Sequence, residues 1–453
     1  MVNSIRENQD KLTLQIIKQL KDGKKTEFRL ILDELQPYDV ARLYESLPQK
    51  HHTKFLLFMQ PEEIADLIQE LDKDNQLEIL TKLGIEKSGH VMDLMDNDDL
   101  ASLLEDLSPD KIEELLSGME REESRIVQNI MNYQPETAGR LMTNRFVWIP
   151  QHYTVREAAD KLKVFAEFSE TINYLYVIDT EKRLVGVVSY RDLIIADTHE
   201  KIQDIMYSRV ISVSADTDQE AVAQLIERYD FLAMPVVENE ILVGIVTVDD
   251  IIDVVISEAT EDIEKLSASG KAIDFDTKAF VAAYRRLPWL ILLLFIGIVS
   301  GSIISQFEET LSKVVALAFF MPMIAGMTGN TGTQSLAVVV RGLITRDVDK
   351  GVATRLVFRE LKVGLIIGIT CGILIAIIAL VWQGSAVLGI VVGSSLIMTL
   401  IIGTLAGTVI PLILYRFNID PAVASGPLIT TLNDILSLLI YFGLASMFIN
   451  YLM

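Results

Sequence analysis

The sequence Pro427-Leu428-Ile429-Thr430-Thr431-Leu432-Asn433-Asp434 places a carboxylate inside an apolar segment. That segment runs from Pro421 to Met447, and no other charged residue lies between Asp434 and the C-terminus. A charge at the centre of a membrane helix costs about 2.5–3.5 kcal/mol, so an acid there is by default a candidate cation site or proton relay. The alternative is an acid that only hydrogen-bonds a neighbouring helix.

The last 168 residues read as a membrane domain, because five apolar runs follow one another. The runs are Pro288–Ile304, Val314–Val340, Val363–Trp382, Ala386–Tyr415 and Ala422–Met447. A membrane span needs about 20 apolar residues. Lys and Arg cluster before the first run and between the second and third, and such residues favour the cytoplasmic side. We therefore predict a five-helix transmembrane domain, residues 285–453, with the N-terminus inside and the C-terminus outside.

Two features of this domain bear on ion passage. Asp434 lies 14 residues past Asp420, which is about 21 Å along a continuous helix and near the middle of the bilayer. The second run contains Gly326, Gly329 and Gly332 with polar residues between them. This pattern predicts either close helix packing or a break whose carbonyl groups line a covered, water-filled cavity.

Charge divides the chain into two parts. Residues 286–453 contain 9 Lys/Arg and 7 Asp/Glu, which leaves 31 and 55 for residues 1–285 from totals of 40 and 62. The first part, at a net charge near −24, argues against nucleic acid, whose phosphates attract basic residues. It suits metal cations, or simply a solvated surface. The polar N-terminus lacks the apolar core of a signal peptide, so we expect this part to stay in the cytoplasm.

Residues 154–258 contain a tandem repeat. The sequence LVGVVSYRD of Leu184–Asp192 recurs as LVGIVTVDD in Leu242–Asp250. An apolar strand precedes each copy, at Tyr174–Asp179 and at Ala233–Glu238. A helical stretch precedes each strand, at Val155–Phe168 and at Asp218–Tyr229. The arrangement resembles an α/β tandem pair of CBS modules, which we place at residues 136–199 and 200–257. In such modules the Ser/Thr-x-x-Asp motif commonly binds the ribose of an adenine nucleotide; equally, it caps a helix.

Two more segments flank this pair. Residues 1–135 are acidic and repeat the pattern Pro-x-x-x-Ala-x-Leu at Pro37–Leu43 and Pro61–Leu67, which predicts a superhelical stack of short helices. A connecting helix, residues 258–284, leads into the membrane. Acids around its start occupy about half the circumference of one helix: Asp250, Asp253, Glu258, Glu261 and Asp262. Such a helix repels itself unless cations neutralise it, so it is either a cation-sensitive gate or an ordinary acidic connector.

Taken in order, these segments resemble the MgtE family of bacterial magnesium channels. The most specific motifs are PETAGRLMT at Pro135–Thr143, EATEDIEKL at Glu258–Leu266, GNTG at Gly329–Gly332, and Pro427–Asp434. The resemblance implies a homodimer in the bacterial plasma membrane, with one central pore and a connecting "plug" helix. The expected fold is a multidomain, multi-pass membrane protein with cytoplasmic N-terminal domains and an extracellular C-terminus.

The resemblance also implies roles for single residues. Asp434 matches the pore carboxylate, and Asp420 matches an acid at the cytoplasmic pore mouth. Regulatory Mg²⁺ is expected on the acids of the plug and of the N domain: Asp250, Asp253, Glu258, Glu261, Asp262 and Asp98. ATP is expected near Tyr174, Arg191 and Asp192. The chain departs from the family pattern at Ser102, Arg228 and Gly426, which puts the sensor sites and the pore mouth in doubt.

We therefore expect a Mg²⁺ channel that cytosolic Mg²⁺ closes, and no enzyme. Mg²⁺ dehydrates reluctantly, so the pore should hold a hydrated ion with Asp434 and with Asn330 and Gln334 nearby. The alternatives are a proton-coupled divalent-cation transporter, an efflux system or a carrier of Co²⁺ or Mn²⁺, and a membrane-bound sensor without transport.

Overall fold

The computed structural model describes residues 2–105, 107–166, 169–267, 273, 277–345, 350–417, 419–424 and 426–452, with the side chains of 2–10 and 344–345 left out. The chain divides into two compact units, Met1–Val255 and Ile256–Met453. Each has its own buried apolar core. The boundary falls inside one helix, Val248–Leu266.

The first part of unit one is helical. Its α-helices α1 to α10 are Val2–Asp22, Lys25–Leu32, Pro37–Ser46, His52–Phe58, Pro61–Gln69, Lys73–Leu83, Ile85–Met92, Asn97–Leu104, Pro109–Leu116 and Arg121–Met131, with a 3₁₀ turn at Gln49–His51. Pro37 and Pro61 stand at the first position of α3 and α5, where the missing N–H costs nothing. The repeated proline of the sequence thus marks helix starts.

These helices stack in two rows. In one row α1 contacts α3, α3 contacts α5, α5 contacts α7 and α7 contacts α9; in the other α2 contacts α4, and α8 contacts both α6 and α10. Each helix buries one apolar stripe, such as Ile64, Leu67 and Ile68 on α5. The predicted helical N domain is confirmed.

The second part of unit one consists of two small mixed sheets with helices. Its helices are α11 Ala138–Leu141, α12 Val155–Phe165, α13 Tyr190–Ile195, α14 Ile202–Ile205 and α15 Gln219–Tyr229; its strands are β1 Phe146–Pro150, β2 Thr171–Ile178, β3 Leu184–Ser189, β4 Val213–Ser214, β5 Ala233–Glu238 and β6 Ile241–Thr247. The sheets have the orders β1-β2-β3 and β4-β5-β6, with the first pair parallel and the second antiparallel in each. The tandem α/β pair is confirmed.

The repeated glycine of the two copies has a packing role. A Cβ on Gly186 would lie 2.5 Å from Met206 Sδ, and one on Gly244 would lie 2.6 Å from Met142 Sδ. In both modules a methionine side chain thus packs directly on the glycine of the repeated strand, where no larger residue would fit.

Helix α16, Val248–Leu266, connects the two units. Unit two continues with α17 Ala279–Gln306, α18 Glu308–Lys313, α19 Leu317–Thr345, α20 Lys350–Gln383, α21 Ala386–Arg416, a 3₁₀ turn at Pro421–Val423, α22 Gly426–Met447 and α23 Ile449–Leu452. Four helices within the described residues are long and apolar enough to cross a membrane: α17, α20, α21 and α22. Helix α19 has 29 residues, but the polar stretch from Thr328 to Gln334 lies in its middle.

Glycines bring the membrane helices close together. A Cβ on Gly407 of α21 would lie 2.1 Å from the carbonyl oxygen of Gly332, and one on Gly332 would lie 2.1 Å from Asn433 Nδ2. Helix α19 runs unbroken through Gly326, Gly329 and Gly332. Of the two interpretations of this stretch, close helix packing is the one observed for Gly329 and Gly332, because small residues let backbones approach.

Candidate cation sites

The first candidate site lies at the N-terminal end of α16, within unit one. Asp98, in the first turn of α8, is 7% exposed, and its Oδ1 is buried without a hydrogen-bond partner. Helix α8 is held in place by its neighbours: Asn97 Nδ2 donates to Asn144 Oδ1 at 2.9 Å, and Arg145 pairs with Asp96 at 3.2 Å. These contacts keep the N domain acid fixed against the tandem modules.

Three more carboxylates belong to this site. Oxygens of Glu170, Asp249 and Asp250 all lie within 4.8 Å of one another. Glu170 is held just before β2, where its backbone N–H donates to the carbonyl of Arg145 at 3.0 Å, and its Oε2 is buried without a partner. The Thr247 hydroxyl donates to Asp250 Oδ2. We call Asp98, Glu170, Asp249 and Asp250 the N-end cluster.

Burial and mutual repulsion perturb the N-end cluster. Desolvation, and after it the charge of Asp250, raise the pKa of Glu170 to about 7. Desolvation likewise raises the pKa of Asp250 to about 7, although the hydrogen bond from Thr247 opposes the shift. Burial raises the pKa of Asp98 well above its usual range, with Asp250 and Glu170 adding to it. The cluster therefore resists full ionisation unless a cation is present.

The chemistry of the N-end cluster fits a hard divalent cation. Its donors are carboxylate oxygens, the ligands that Mg²⁺ and Ca²⁺ accept, and two of these oxygens have no partner. The sequence predicted Asp98 and Asp250 here and missed Glu170 and Asp249. Asp249 stands directly before Asp250 in the second copy of the repeat, where the first copy has Arg191, and this second acid offered a signal; an isolated Glu170 offered none.

The second candidate site lies at the C-terminal end of α16, within unit two. Lys265 Nζ lies 2.6 Å from Asp420 Oδ2 and 2.7 Å from Glu261 Oε1. Desolvation raises the pKa of Asp262, and the charge of Asp420 adds to the shift. Burial lowers the pKa of Lys265, but the hydrogen bonds to Asp420 and Glu261 outweigh it and the net shift is upward. We call Glu261, Asp262, Lys265 and Asp420 the C-end cluster.

The five predicted acids of the connecting helix thus do not form one site. All lie on α16, but Asp250 belongs to the N-end cluster, and Glu261 and Asp262 belong to the C-end cluster. Asp253 is exposed, and Glu258 is partly buried. The sequence alone does not show this division, because all five acids lie within 13 residues.

Asp434 lies on α22, the helix that contains no other charged residue. Its position differs from the expected one. Asp420 caps the 3₁₀ turn at Pro421–Val423 through Ala422 N, at 2.8 Å, and α22 begins only at Gly426. Asp434 is therefore about 12 Å from the helix start, and the expected continuous helix of about 21 Å from Asp420 was wrong because the prolines interrupt it.

The neighbours of Asp434 fix its helix. Asn433 is fully buried and donates from Nδ2 to the carbonyl of Thr328 at 3.4 Å, while Asp434 itself is half-buried. Asn330 and Gln334 are exposed, one turn apart on α19. Among the residues that the structure describes, no hydrogen bond joins any two of Asn330, Gln334 and Asp434.

A separate cleft lies between the two tandem modules. Tyr174, Tyr207, Arg209 and Phe231 line it. Tyr174 was predicted there; the other three were not. Arg191 and Asp192 are exposed and do not line the cleft, and Asp192 accepts a hydrogen bond from Ser189 at 2.6 Å. In this structure the Ser-x-x-Asp motif caps a helix, since Ser189 also accepts from Asp192 N.

The three departures from the expected pattern are easily accommodated. The carbonyl of Ser102 accepts from Lys73 Nζ at 3.1 Å, and Arg228 is exposed. A Cβ on Gly426 would lie at ordinary contact distance, 3.4 Å from Thr333 Cγ2 and 3.5 Å from the carbonyl of Leu266. Glycine at this position is therefore not required by sterics.

Comparison with known families accounts for most of the chain. The sequence model of MgtE, described as a divalent cation transporter, matches residues 321–444. The MgtE intracellular N domain matches residues 35–136, and the CBS domain matches residues 138–199 and 202–257.

Relatives and solved structures agree with these matches. The magnesium transporter MgtE of Bacillus subtilis (strain 168) is 62% identical over 444 residues, which cover 98% of both chains. The crystal structure of the soluble part of a magnesium transporter is 38% identical, with a TM-score of 0.53, and covers 55% of this chain and 99% of that one. The cytosolic domain of the Mg²⁺ channel MgtE in complex with ATP is 34% identical, with a TM-score of 0.51, and covers 53% of this chain and 99% of that one.

Proposed function

We propose a specific function from the premise that this chain belongs to the MgtE family of divalent cation transporters. Its relatives are named as magnesium transporters, so magnesium transport across a membrane is its activity, and the family is one of transporters rather than enzymes. We infer that the chain is a Mg²⁺-selective channel for uptake, which cytosolic Mg²⁺ closes.

The observation that carries this proposal is Asp434. It is the one charged residue of α22, half-buried within a helix long and apolar enough to span a membrane. Membrane-embedded acids of this kind mark ion pathways. Because Mg²⁺ holds its water shell tightly, a carboxylate that binds the ion through water, assisted by the exposed amides of Asn330 and Gln334, suits a hydrated ion.

The pore requires a particular assembly. We propose a homodimer in the lipid bilayer of the bacterial plasma membrane, with two Asp434 side chains about one central axis. Helix α19 is the fifth span in this proposal: Thr328 and Thr331 are buried against other helices, and the exposed Asn330 and Gln334 would line the pore. The N-terminal domains are cytoplasmic and the C-terminus is extracellular, as the positive charge of the loops predicts.

Regulation follows from the two acid clusters on α16. When cytosolic Mg²⁺ is low, like charges in the N-end cluster disfavour the compact arrangement of unit one. When it is high, Mg²⁺ binds Asp98 and Asp250, with Glu170 and Asp249, and favours that arrangement. Asp253, Glu258, Glu261, Asp262 and Asp420 supply weaker sites nearer the pore. The ion shifts gating only by binding the closed state more tightly than the open state.

ATP is a further regulatory ligand in this proposal. The cleft lined by Tyr174, Tyr207 and Phe231 offers aromatic faces for an adenine ring, and Arg209 offers a positive charge for phosphate. A relative's cytosolic domain has been solved with ATP. Arg191 and Asp192 would have to rotate toward the cleft to contact the nucleotide.

The proposal is tested by recording currents from the purified full-length protein in lipid, with Mg²⁺ as the permeant cation. Wild type should show unitary Mg²⁺ currents that close as cytosolic Mg²⁺ rises. Asp434→Asn, which keeps the shape of the side chain, should lose them, whereas Glu308→Gln, a matched change of an exposed acid at the start of the short helix α18, should keep them.

Other outcomes decide between the alternatives. Mg²⁺ uptake into vesicles without unitary currents, accompanied by proton flux, would show a proton-coupled transporter and make Asp434 a relay. Unchanged uptake in Asp434→Asn would contradict any role of Asp434 in the ion path. Replacing Mg²⁺ by Co²⁺ or Mn²⁺ in the same recordings measures selectivity.

A further inference from the structure

The C-end cluster contains its own cation. The Lys265 ammonium lies within hydrogen-bond distance of two carboxylates, Asp420 at 2.6 Å and Glu261 at 2.7 Å. Glu261 precedes Lys265 by one helical turn, whereas Asp420 lies between the membrane helices α21 and α22 in sequence, just before the 3₁₀ turn at Pro421–Val423. One side chain therefore ties the end of α16 to the segment that leads to Asp434.

This ion pair is supported by packing. Leu266, the next residue, packs against a buried apolar group that includes Leu336, Ala422 and Ile429. Its carbonyl oxygen lies 3.5 Å from the position of a Cβ on Gly426. Because Leu266 is seated between α19, the 3₁₀ turn and α22, Lys265 is held near Asp420 by its neighbour as well as by charge.

The geometry makes Lys265 and Mg²⁺ competitors. An ammonium and a hydrated divalent cation both need the oxygens of Asp420 and Glu261, and their charges repel each other at that distance. An isolated exposed ion pair would matter little. Here both partners are about one-third exposed, with Lys265 at 32% and Asp420 at 35%, and one ammonium serves two carboxylates.

We propose that Lys265 is a tethered cation that occupies the regulatory site formed by Glu261, Asp262 and Asp420. It holds the end of α16 against the pore mouth when Mg²⁺ is absent, and it lowers the affinity of this site for Mg²⁺ because the ion must displace it. This inference rests on the proposed channel function for its gating part, and its binding part stands without it.

Binding gives a test that does not depend on transport. Mg²⁺ is titrated into the purified full-length protein in detergent by calorimetry, for wild type, Lys265→Met and Lys265→Arg. We expect Lys265→Met to bind Mg²⁺ at this site at least about tenfold more tightly, Lys265→Arg to match wild type, and Lys265→Met with Asp420→Asn to lose the gain. Equal affinity in Lys265→Met and wild type would overturn the proposal.

Currents test the gating part. In Mg²⁺-free solution, Lys265→Met should raise the open probability about fivefold, because the tether is gone, yet still close fully at saturating Mg²⁺. Lys265→Gln serves as a second variant if Lys265→Met does not fold. Unchanged open probability without Mg²⁺ in both neutral variants would overturn the tether, whereas silent membranes for every variant and for wild type would overturn the channel function instead.

Discussion

The two ends of α16 carry similar numbers of acids, but the repulsion between these acids is offset differently at each end. At the N-end cluster, Asp98 Oδ1 and Glu170 Oε2 are buried without a partner, and Arg145, close by, is already paired with Asp96. At the C-end cluster, Lys265 binds Asp420 and Glu261 directly. One end therefore needs a proton or an added cation, and the other supplies its cation from the chain.

This difference assigns different roles to the two ends. A cluster without its own cation changes its charge balance strongly when Mg²⁺ arrives, because a buried unpaired charge is costly. A cluster with a lysine changes less, because one cation only replaces another. We therefore expect the N-end cluster to set most of the Mg²⁺ response, and the C-end cluster to set how firmly the pore mouth is held.

The largest expected effect comes from neutralising the N-end cluster. With Asp98→Asn, Glu170→Gln and Asp250→Asn combined, the Mg²⁺ concentration that half-closes the channel should rise about 100-fold, near the upper end of known coupling energies. The measurement is open probability against cytosolic Mg²⁺. The control combines three exposed acids, Glu113→Gln, Glu114→Gln and Glu227→Gln, and should shift little. If this control shifts closure as far as the cluster variant does, general surface charge governs gating.

Extending the neutralisation along α16 sharpens this result. When Asp250, Asp253, Glu258, Glu261 and Asp262 are all neutralised, the channel should no longer close with Mg²⁺. Retained closure would place the sensor elsewhere. If the five-acid variant and the N-end variant respond to the same Mg²⁺ concentrations, the acids at the C-terminal end of α16 add nothing to closure.

The next effect is on stability. Because the folded-state pKa of Glu170 is raised from 4.5 to about 7, its contribution to folding is fully present below about pH 4.5 and is lost as the pH rises through about 7. In EDTA at pH 8, Glu170→Gln should therefore stabilise the soluble part by about 2 kcal/mol. At pH 5 the two proteins should unfold alike, since the neutral acid and the amide have similar shapes.

Urea unfolding of residues 1–266 at both pH values measures this effect, because the corresponding soluble part of a relative has been crystallised alone. Glu227→Gln, an exposed acid on α15, is the control and should change stability at neither pH. Saturating Mg²⁺ should reverse the order at pH 8, since wild type binds the ion and Glu170→Gln has lost a ligand. A stability difference independent of pH would exclude ionisation of Glu170 as its cause.

How much of this could be read from the sequence depended on whether the signal was local. The strand Ala233–Glu238 was predicted with the bounds observed, because the repeat placed it between turn residues. Prolines marked the starts of α3 and α5. These elements follow from neighbouring residues alone.

Two of the missed contacts join residues distant in sequence. Glu170 stands 80 residues before Asp250. It precedes β2 of the first sheet and Asp250 follows β6 of the second, so the two meet only where the two modules pack together. Lys265 meets Asp420 across 155 residues. The helical path from Asp420 to Asp434 was misjudged because the sequence shows Pro421 and Pro427 but not that a 3₁₀ turn and a new helix start separate Asp420 from α22.

The smallest expected effect concerns the apolar contact at the C-end. Leu266 is partly buried against Leu336, Ala422 and Ile429. Leu266→Ala should therefore weaken the packing of the C-terminal end of α16 on these residues by about 1 kcal/mol. That corresponds to about a fivefold rise in open probability at a fixed intermediate Mg²⁺ concentration, with the slope of the Mg²⁺ response unchanged because no charge is altered. Ile263→Ala, on the same helix but 65% exposed, is the control and should behave as wild type. If Leu266→Ala instead changed the slope, the packing of Leu266 and the cation sites would be coupled. The apolar contact of Leu266 and the charged C-end cluster would then not act independently.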